Sequence, residues 1–268
     1  MHGSYGIKKI EADCMESLPP EWIKISQADS ENIDCLLSCG TWCTDTFKRS
    51  FYCKPDIIKE MGLPRNDIFF SNTEDVAKKV RQYYQLAEDC QIALYAPTFR
   101  QGDLYTDKTP ECYQIDYSTL HRELTAKFGG KWVIITRLHP LLKDMYNNLP
   151  SHVINGCHYP DMQELMSASD FMISDYSSCI YDFMLSRRPG FIFATDIEEY
   201  NTERGFCYPL EETPFPIAVN NEQLATNIRN FDLETYVAQV DAFLRGKGSC
   251  DDGHAAERCV DYIEERMR

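Results

Sequence analysis

The sequence predicts an α/β protein built on a doubly wound parallel sheet, and three observations carry that expectation. Short apolar runs at Ile92–Ala96, Trp132–Thr136, Phe171–Ile173 and Phe191–Thr195 have the length and composition of buried strands. Amphipathic stretches of roughly 10–15 residues separate most of them, an alternation that builds parallel sheets rather than hairpins. Breakers fall at the boundaries: Pro97 closes one strand, Gly129-Gly130 end a helix and Pro189-Gly190 precede a strand.

Residues 1–30 read as polar and broken by Pro19 and Pro20. Ile33–Ser38 is expected as a short strand and Asp45–Tyr52 as a helix capped by Thr44. Pro55–Met61 is expected as a second helix, stopped by Gly62 and Pro64. The turn-like Pro64–Asp67 and the polar Ser71–Glu74 mark a junction, which divides the chain into residues 1–70 and 71–268. Beyond it, helices are expected at Glu74–Ala87 and Tyr117–Phe128, with another short strand at Val153 and Ile154. Met162, Leu165, Met166 and Ala168 sit at helical spacing before the apolar Phe171–Ile173. The polar Ser174-Asp175-Tyr176-Ser177-Ser178 then opens onto an apolar-faced helix from Cys179. Three more helices are expected at Glu222–Asn230, Thr235–Leu244 and His254–Met267.

At 268 residues and 43% hydrophobic content the chain can bury a sizeable core. A net charge of −15 excludes a broad nucleic-acid surface and a general polybasic membrane patch, leaving room only for a local one. No run approaches the roughly 18 apolar residues of a membrane span, and the first residues have no signal-peptide core. Twelve cysteines scattered through apolar segments read as the reduced, buried thiols of a cytosolic protein. Cys35, Cys39 and Cys43 recur every four residues, but no nearby His or C-x-x-C pair completes a metal site.

Right-handed crossovers bring the ends of Ile92–Ala96, Trp132–Thr136 and Phe171–Ile173 to one edge, so one crevice is expected to collect Thr98, Arg100, Arg137, His139, Asp175, Ser177 and Ser178. Ser177 and Ser178 can cap the following helix, whose free N–H groups favour an anion such as phosphate; the plainer reading is that they only cap it. Arg137 can chelate phosphoryl oxygens. His139 precedes Pro140 and is biased towards an extended backbone that projects its ring, although a lone turn histidine is commonly an ordinary surface residue. Asp175 suits a ribose hydroxyl or a neighbouring Arg better than a phosphate. His2-Gly3 with Lys8-Lys9 is, on its own, only a polar start to the chain. No G-x-x-x-x-G-K-[ST], strand-linked G-x-G-x-x-G, H-E-x-x-H or G-x-S-x-G occurs, which removes the usual NTPase, dinucleotide, zincin and hydrolase fingerprints.

Taken in order, the segments His2–Asp13, Thr46–Phe51, Gly62–Asp67, Leu94–Arg100, Thr136–Pro140, Tyr159–Phe183, Arg187–Phe206 and Asp251–Ile263 resemble the CDP-glycerol glycerophosphotransferase family of teichoic acid assembly. The resemblance implies a GT-B-type fold. Residues 71–268 would be the donor-binding Rossmann-like domain with C-terminal helices, and residues 1–70 a remnant of the acceptor-side domain. The implied reaction transfers glycerol phosphate or a related polyol phosphate from CDP-glycerol or CDP-ribitol, releasing CMP. The implied acceptor is a terminal hydroxyl of a polyol-phosphate or glycolipid-linked polymer. On the same basis His2 corresponds to the base for the acceptor hydroxyl and His139 to the histidine that binds the donor phosphates. Asp175, Ser177 and Ser178 correspond to the donor loop, with Arg137 and Arg204 as pyrophosphate partners. No cofactor is expected, although Mg²⁺ could assist the pyrophosphate. The implied location is cytoplasmic, with peripheral association at the inner face of the membrane. Two other readings stay open: a nucleotide-binding module without turnover, and a sugar-nucleotide glycosyltransferase of the same fold.

Overall fold

A computed structural model describes residues 4–98, 100, 115–138, 149–150 and 152–268. The chain begins with an extended segment, a 3₁₀ turn over Glu11–Ser17 and helix α1 (Pro20–Glu31). Strand β1 (Leu36–Ser38), helix α2 (Thr41–Ser50) and strand β2 (Ile58–Glu60) follow, and β1 and β2 pair in parallel as a small sheet. After a 3₁₀ turn at Pro64–Phe69 come α3 (Glu74–Tyr83), β3 (Cys90–Ala96), α4 (Tyr117–Phe128) and β4 (Lys131–Thr136). Next are β5 (Val153–Asn155), α5 (Met162–Ala168), β6 (Phe171–Ser174), α6 (Cys179–Phe183), β7 (Gly190–Phe193) and α7 (Ile197–Glu203). The last elements are β8 (Ile217–Ala218), α8 (Asn221–Asn230), α9 (Leu233–Gly246) and α10 (Ala255–Met267).

The main sheet has six strands in the order β5-β4-β3-β6-β7-β8, and every adjacent pair is parallel. From β3 the chain winds outward to β4 and β5, then returns to β6 and winds the other way. The reversal falls between β3 and β6, where Ala96 is opposite Ser174. A crevice opens at such a reversal because the flanking connections leave in opposite directions above the carboxyl ends of the strands. The last five residues of β3 and all four of β6 are buried, which explains their unbroken apolar sequences. Phe171 of β6 stacks on Phe191 of β7 with ring centroids 4.7 Å apart, while Phe128 and Trp132 close the same layer from α4 and β4.

Several local expectations are corrected. Pro55–Met61 is not a helix: it is a 3₁₀ turn at Pro55–Ile57 followed by β2. The stretch is too short to sustain a helix, and β-branched Ile58 gains more by pairing opposite Leu36 of β1. Pro20 starts α1 instead of breaking it, because its missing N–H falls in the first turn, where no intrahelical partner exists. Helix α2 begins after Gly40, so Thr44 lies inside it; its hydroxyl donates to Glu60 at 2.8 Å and faces Ser38 Oγ at 2.6 Å. α7 was not foreseen.

The extended N-terminal segment is stitched across the molecule. Lys8 pairs with Phe206 in an antiparallel bridge, Lys9 N donates to the Gly205 carbonyl at 3.0 Å and Cys207 N to that of Ile7 at 2.7 Å. Gly6 passes over the turn after β6 so closely that a Cβ there would sit 3.2 Å from Ser178 Cβ. At the other end, Asp67 accepts from the Ala255 and Ala256 amides, capping α10 onto the 64–69 turn.

Candidate donor-binding cleft

The floor of the crevice is a buried ion network. Pro97 ends β3, since it has no N–H for the ladder. Thr98 N (2.8 Å) and Tyr176 N (2.6 Å) then both donate to Asp175 Oδ1. The Arg100 guanidinium donates to Asp175 Oδ2 at 2.7 Å through Nη1, and to both Asp196 oxygens at 2.8 and 3.0 Å through Nε and Nη2. Tyr176 Oη adds a bond to Asp196 at 2.9 Å. The guanidinium also lies 4.9 Å from the centroids of the Tyr176 and Tyr200 rings, which stack on each other at 4.0 Å. Burial alone would push the Asp196 carboxyl up; the bonds and charge of Arg100 outweigh it and hold the group below the ordinary aspartate range. The network locks the β3 and β6 turns to each other and to the start of α7.

Above this floor is a cleft of about 710 Å³. Ser177, Thr98, Arg100, Arg137 and Arg204 all border it, together with Lys8, Met162 and Tyr200 and with Leu18, Pro19 and Trp22 from the α1 side. Arg137 spends Nη1 on the carbonyls of Gly156 (3.2 Å) and Tyr159 (2.6 Å), which anchors the guanidinium at the cleft wall. Among the described residues the side chains of Arg204 and Lys8 have no hydrogen-bond or ion-pair partner. An arrangement of cations around a serine turn at a sheet reversal can neutralise and orient a diphosphate.

The residues singled out in the sequence are therefore not equivalent. Thr98, Arg100, Arg137, Ser177 and Arg204 meet at one cleft. Asp175 lies beneath it, 2% exposed and engaged by Arg100, which is the neighbouring-Arg role expected for it. Ser178 occupies the N-cap position of α6 but makes no side-chain cap, and Ser177 Oγ approaches Cys179 N only at 3.5 Å. The expected capping by Ser178 is thereby corrected, and α6 has five residues because the chain tightens into a 3₁₀ turn over Met184–Ser186 that ends at Arg187 in the left-handed region. His2 and His139 lie outside the described residues; Leu138, next to His139, borders the cleft. Unforeseen as cleft residues were Lys8, the ring pair Tyr176 and Tyr200, and Asp196, although Asp196 and Tyr200 stand directly after the predicted strand Phe191–Thr195.

A second polar cluster holds the N-terminal segment behind the same turn. Asp182 of α6 accepts from Ser4 Oγ, from Arg65 Nε at 2.9 Å and from Gln163 Nε2 at 3.3 Å. Asn66 Nδ2 bridges Ser4 Oγ at 3.2 Å and Asp251 at 3.3 Å, while Leu63 N donates to Asp251 at 2.9 Å. Burial pushes the Asp251 carboxyl up from near 3.8 to about 6, against the pull of Leu63 N and Asn66. A carboxyl that holds its proton more tightly when folded stabilises fully below its unfolded value and loses that contribution as pH rises through its folded one. Between pH 4 and 6 the Asp251 contribution is expected to fall by on the order of 2–3 kcal/mol. Urea titrations across that range, wild type against Asp251→Asn, check it: the difference between them should follow this slope, and parallel curves would refute the assignment.

Among the described residues no cluster of three or more His, Cys, Asp or Glu side chains could hold a metal, and no helix is long and apolar enough to cross a membrane.

Known proteins with this sequence and fold agree closely with one another. Residues 1–265 match the family model of CDP-glycerol:poly(glycerophosphate) glycerophosphotransferase. The chain is 31% identical over 259 residues to the teichoic acid poly(glycerol phosphate) polymerase of Staphylococcus epidermidis, covering 93% of this chain and 35% of that one. It is 28% identical over 241 residues to the teichoic acid glycerol-phosphate transferase of Staphylococcus aureus, covering 88% of this chain and 61% of that one. A structure of the wall teichoic acid polymerase TagF soaked with CDPG superposes with a TM-score of 0.83 at 29% identity, over 99% of this chain and 66% of that one. The likeness shows the GT-B-type fold, and the chain spans about a third of the length of the S. epidermidis polymerase. By a match over nearly its whole length, the chain belongs to the CDP-glycerol:poly(glycerophosphate) glycerophosphotransferase family.

Proposed function

We propose that this chain binds a CDP-activated polyol in the cleft at the β3–β6 reversal and transfers its polyol phosphate to a hydroxyl of a teichoic-acid-type polymer, releasing CMP. The observation that carries the reading is the meeting of Arg137, Arg204 and Ser177 around an open cleft above a locked Asp175–Arg100–Asp196 floor. Phosphoryl transfer asks a protein mainly to position the donor and neutralise its charge, and this wall supplies cations for both. The acceptor oxygen attacks the polyol-bearing phosphorus, the bond to the bridging oxygen breaks, and CMP leaves with that electron pair. His2 is the group to take the acceptor's proton and His139 the group to steady the donor phosphates. Residues 71–268 form the donor-binding unit and residues 1–70 belong to the acceptor side. The acceptor reaches the site from the inner face of the membrane.

Calorimetric titration with CDP-glycerol, CDP-ribitol and a UDP-sugar tests the donor class. Binding of a cytidine diphosphate donor at least tenfold tighter than the UDP-sugar is expected; no heat with either CDP-polyol overturns the reading. Product linkage is the second readout. A phosphodiester supports the proposed reaction, and a glycosidic bond refutes it.

A further inference from the structure

Two of the cleft's cations, Lys8 and Arg204, stand out because nothing among the described residues pairs with their side chains. Arg100 is held by two aspartates, and Arg137 is anchored to two carbonyls. Lys8 is half-buried, borders the cleft and has no hydrogen-bond or ion-pair partner among the described residues. The nearest opposing charge is Asp175, but both its oxygens are already occupied, by Thr98 N and Tyr176 N on one side and Arg100 on the other. Of the other groups acting on the ammonium, Arg204 and Arg100 are positive, and the Cys179 thiol, pushed up to about 11 by burial, carries no charge at neutral pH. Burial lowers the lysine's proton affinity, with Asp175 pulling the other way. A long cationic side chain kept desolvated beside like charges is costly unless an anion joins it.

Its placement is not accidental slack in a terminal segment. The bridge to Phe206, the Lys9 N to Gly205 bond and the Cys207 N to Ile7 bond hold Lys8 in register with the strip that carries Arg204. Ile7, immediately before it, is fully buried and pins the backbone. The same ribbon therefore presents two uncommitted cations, from stretches far apart in sequence, to the cleft that contains Ser177.

We infer that Lys8 is a donor-binding residue whose ammonium takes phosphoryl oxygens of the donor's diphosphate beside Arg204. The inference rests on the cleft being the donor site. Lys8 neutralises charge on the diphosphate and, when the bridging bond breaks, on the departing CMP; it transfers no proton and forms no bond.

Calorimetry with cytidine, CMP and CDP on wild-type protein and on Lys8→Met and Lys8→Arg tests it. Wild type is expected to gain affinity with each phosphate. Lys8→Met should lose about 10- to 100-fold for CDP while cytidine binding stays within about twofold, and Lys8→Arg should recover much of the loss. Unchanged CDP affinity in Lys8→Met overturns the role of Lys8 and leaves the donor site standing. Wild-type protein that binds neither CMP nor CDP removes the donor site itself, and the inference with it. Amine labelling of the wild type followed by mass spectrometry needs no variant and so decides the matter if Lys8→Met fails to fold. CDP should slow labelling of Lys8 at least fivefold, cytidine should not, and exposed Lys24 should be unaffected. Equal labelling of Lys8 with and without saturating CDP refutes the contact.

Discussion

Arg100→Ala should lower the free energy of unfolding by about 3–5 kcal/mol near pH 7 and abolish donor binding. The side chain is 12% exposed and is the only counter-charge that Asp175 and Asp196 share among the described residues. Its removal leaves the buried Asp175 and half-buried Asp196 carboxylates facing a space of guanidinium shape, and strips a cation from beside the stacked Tyr176 and Tyr200 rings. Asp175 keeps its bonds from the Thr98 and Tyr176 amides, so the loss is that of an ion network and not of every contact. The pH dependence separates this cause from simple cavity formation. Asp196 sits below its ordinary range because of Arg100, so its contribution is present above about pH 4 and disappears as pH falls through its folded value. The gap between wild type and Arg100→Ala should therefore narrow on acidification, whereas a packing defect would persist. Arg100→Lys should recover less than half, since an ammonium cannot span both carboxylates with a planar fork as the guanidinium does. Urea unfolding by circular dichroism at several pH values is the measurement, and a loss under 1 kcal/mol at pH 7 would show that the network does not hold the cleft floor.

That network illustrates what could and could not be read in the sequence. The strands were legible because a parallel strand buried on both faces must be apolar throughout, and Phe171–Ile173 and Ile92–Ala96 have no other use for such composition. Their ends could be brought together from handedness alone, so the cleft and the gathering of Arg137, Ser177 and Thr98 followed from local pattern and topology. The division of labour within that gathering did not. Whether a cation faces a ligand or a carboxylate depends on partners far away in sequence: Arg100 meets Asp175 across 75 residues and Asp196 across 96. Local propensity failed where a distant partner overrode it. Ile58 became strand because β1 offers an edge, and Ser178 does not cap α6 because its backbone, at φ −66° and ψ −12°, is already helical and not in the extended region a capping serine adopts. Lys8 was visible as a residue but not as a site, since only the Phe206 bridge aims it at the cleft.

Asp182→Ala is expected to cost about 3 kcal/mol and to release the N-terminal segment from the cleft. The carboxylate is 4% exposed at its side chain and gathers Arg65, Ser4, Asn66 and Gln163, four groups from three separate stretches of chain. Arg65 is 25% exposed, so part of its lost pairing can be made good by water, which keeps the cost at the lower end of what breaking a buried pair produces. Ser4 has no such escape: it is buried, and without Asp182 its hydroxyl is left with Asn66 Nδ2 as its hydrogen-bond partner among the described residues. The segment Ser4–Lys8 is then held by its backbone bonds to Gly205–Cys207, by the Tyr5 Oη bond to the Cys39 carbonyl and the Tyr208 Oη bond to the Tyr5 carbonyl, and by the burial of Tyr5 and Ile7. Stability and function should consequently separate. Asp182→Asn retains the shape and one acceptor, so it should cost less than half as much as alanine, yet both variants should show faster amide exchange at residues 4–8 than at β3 or β6. Because Lys8 travels with this segment, CDP should also protect its amine less well in Asp182→Ala than in wild type. Exchange at residues 4–8 no faster than in the wild type would mean that the ribbon to Phe206, and not the Asp182 cluster, fixes the front of the chain against the cleft.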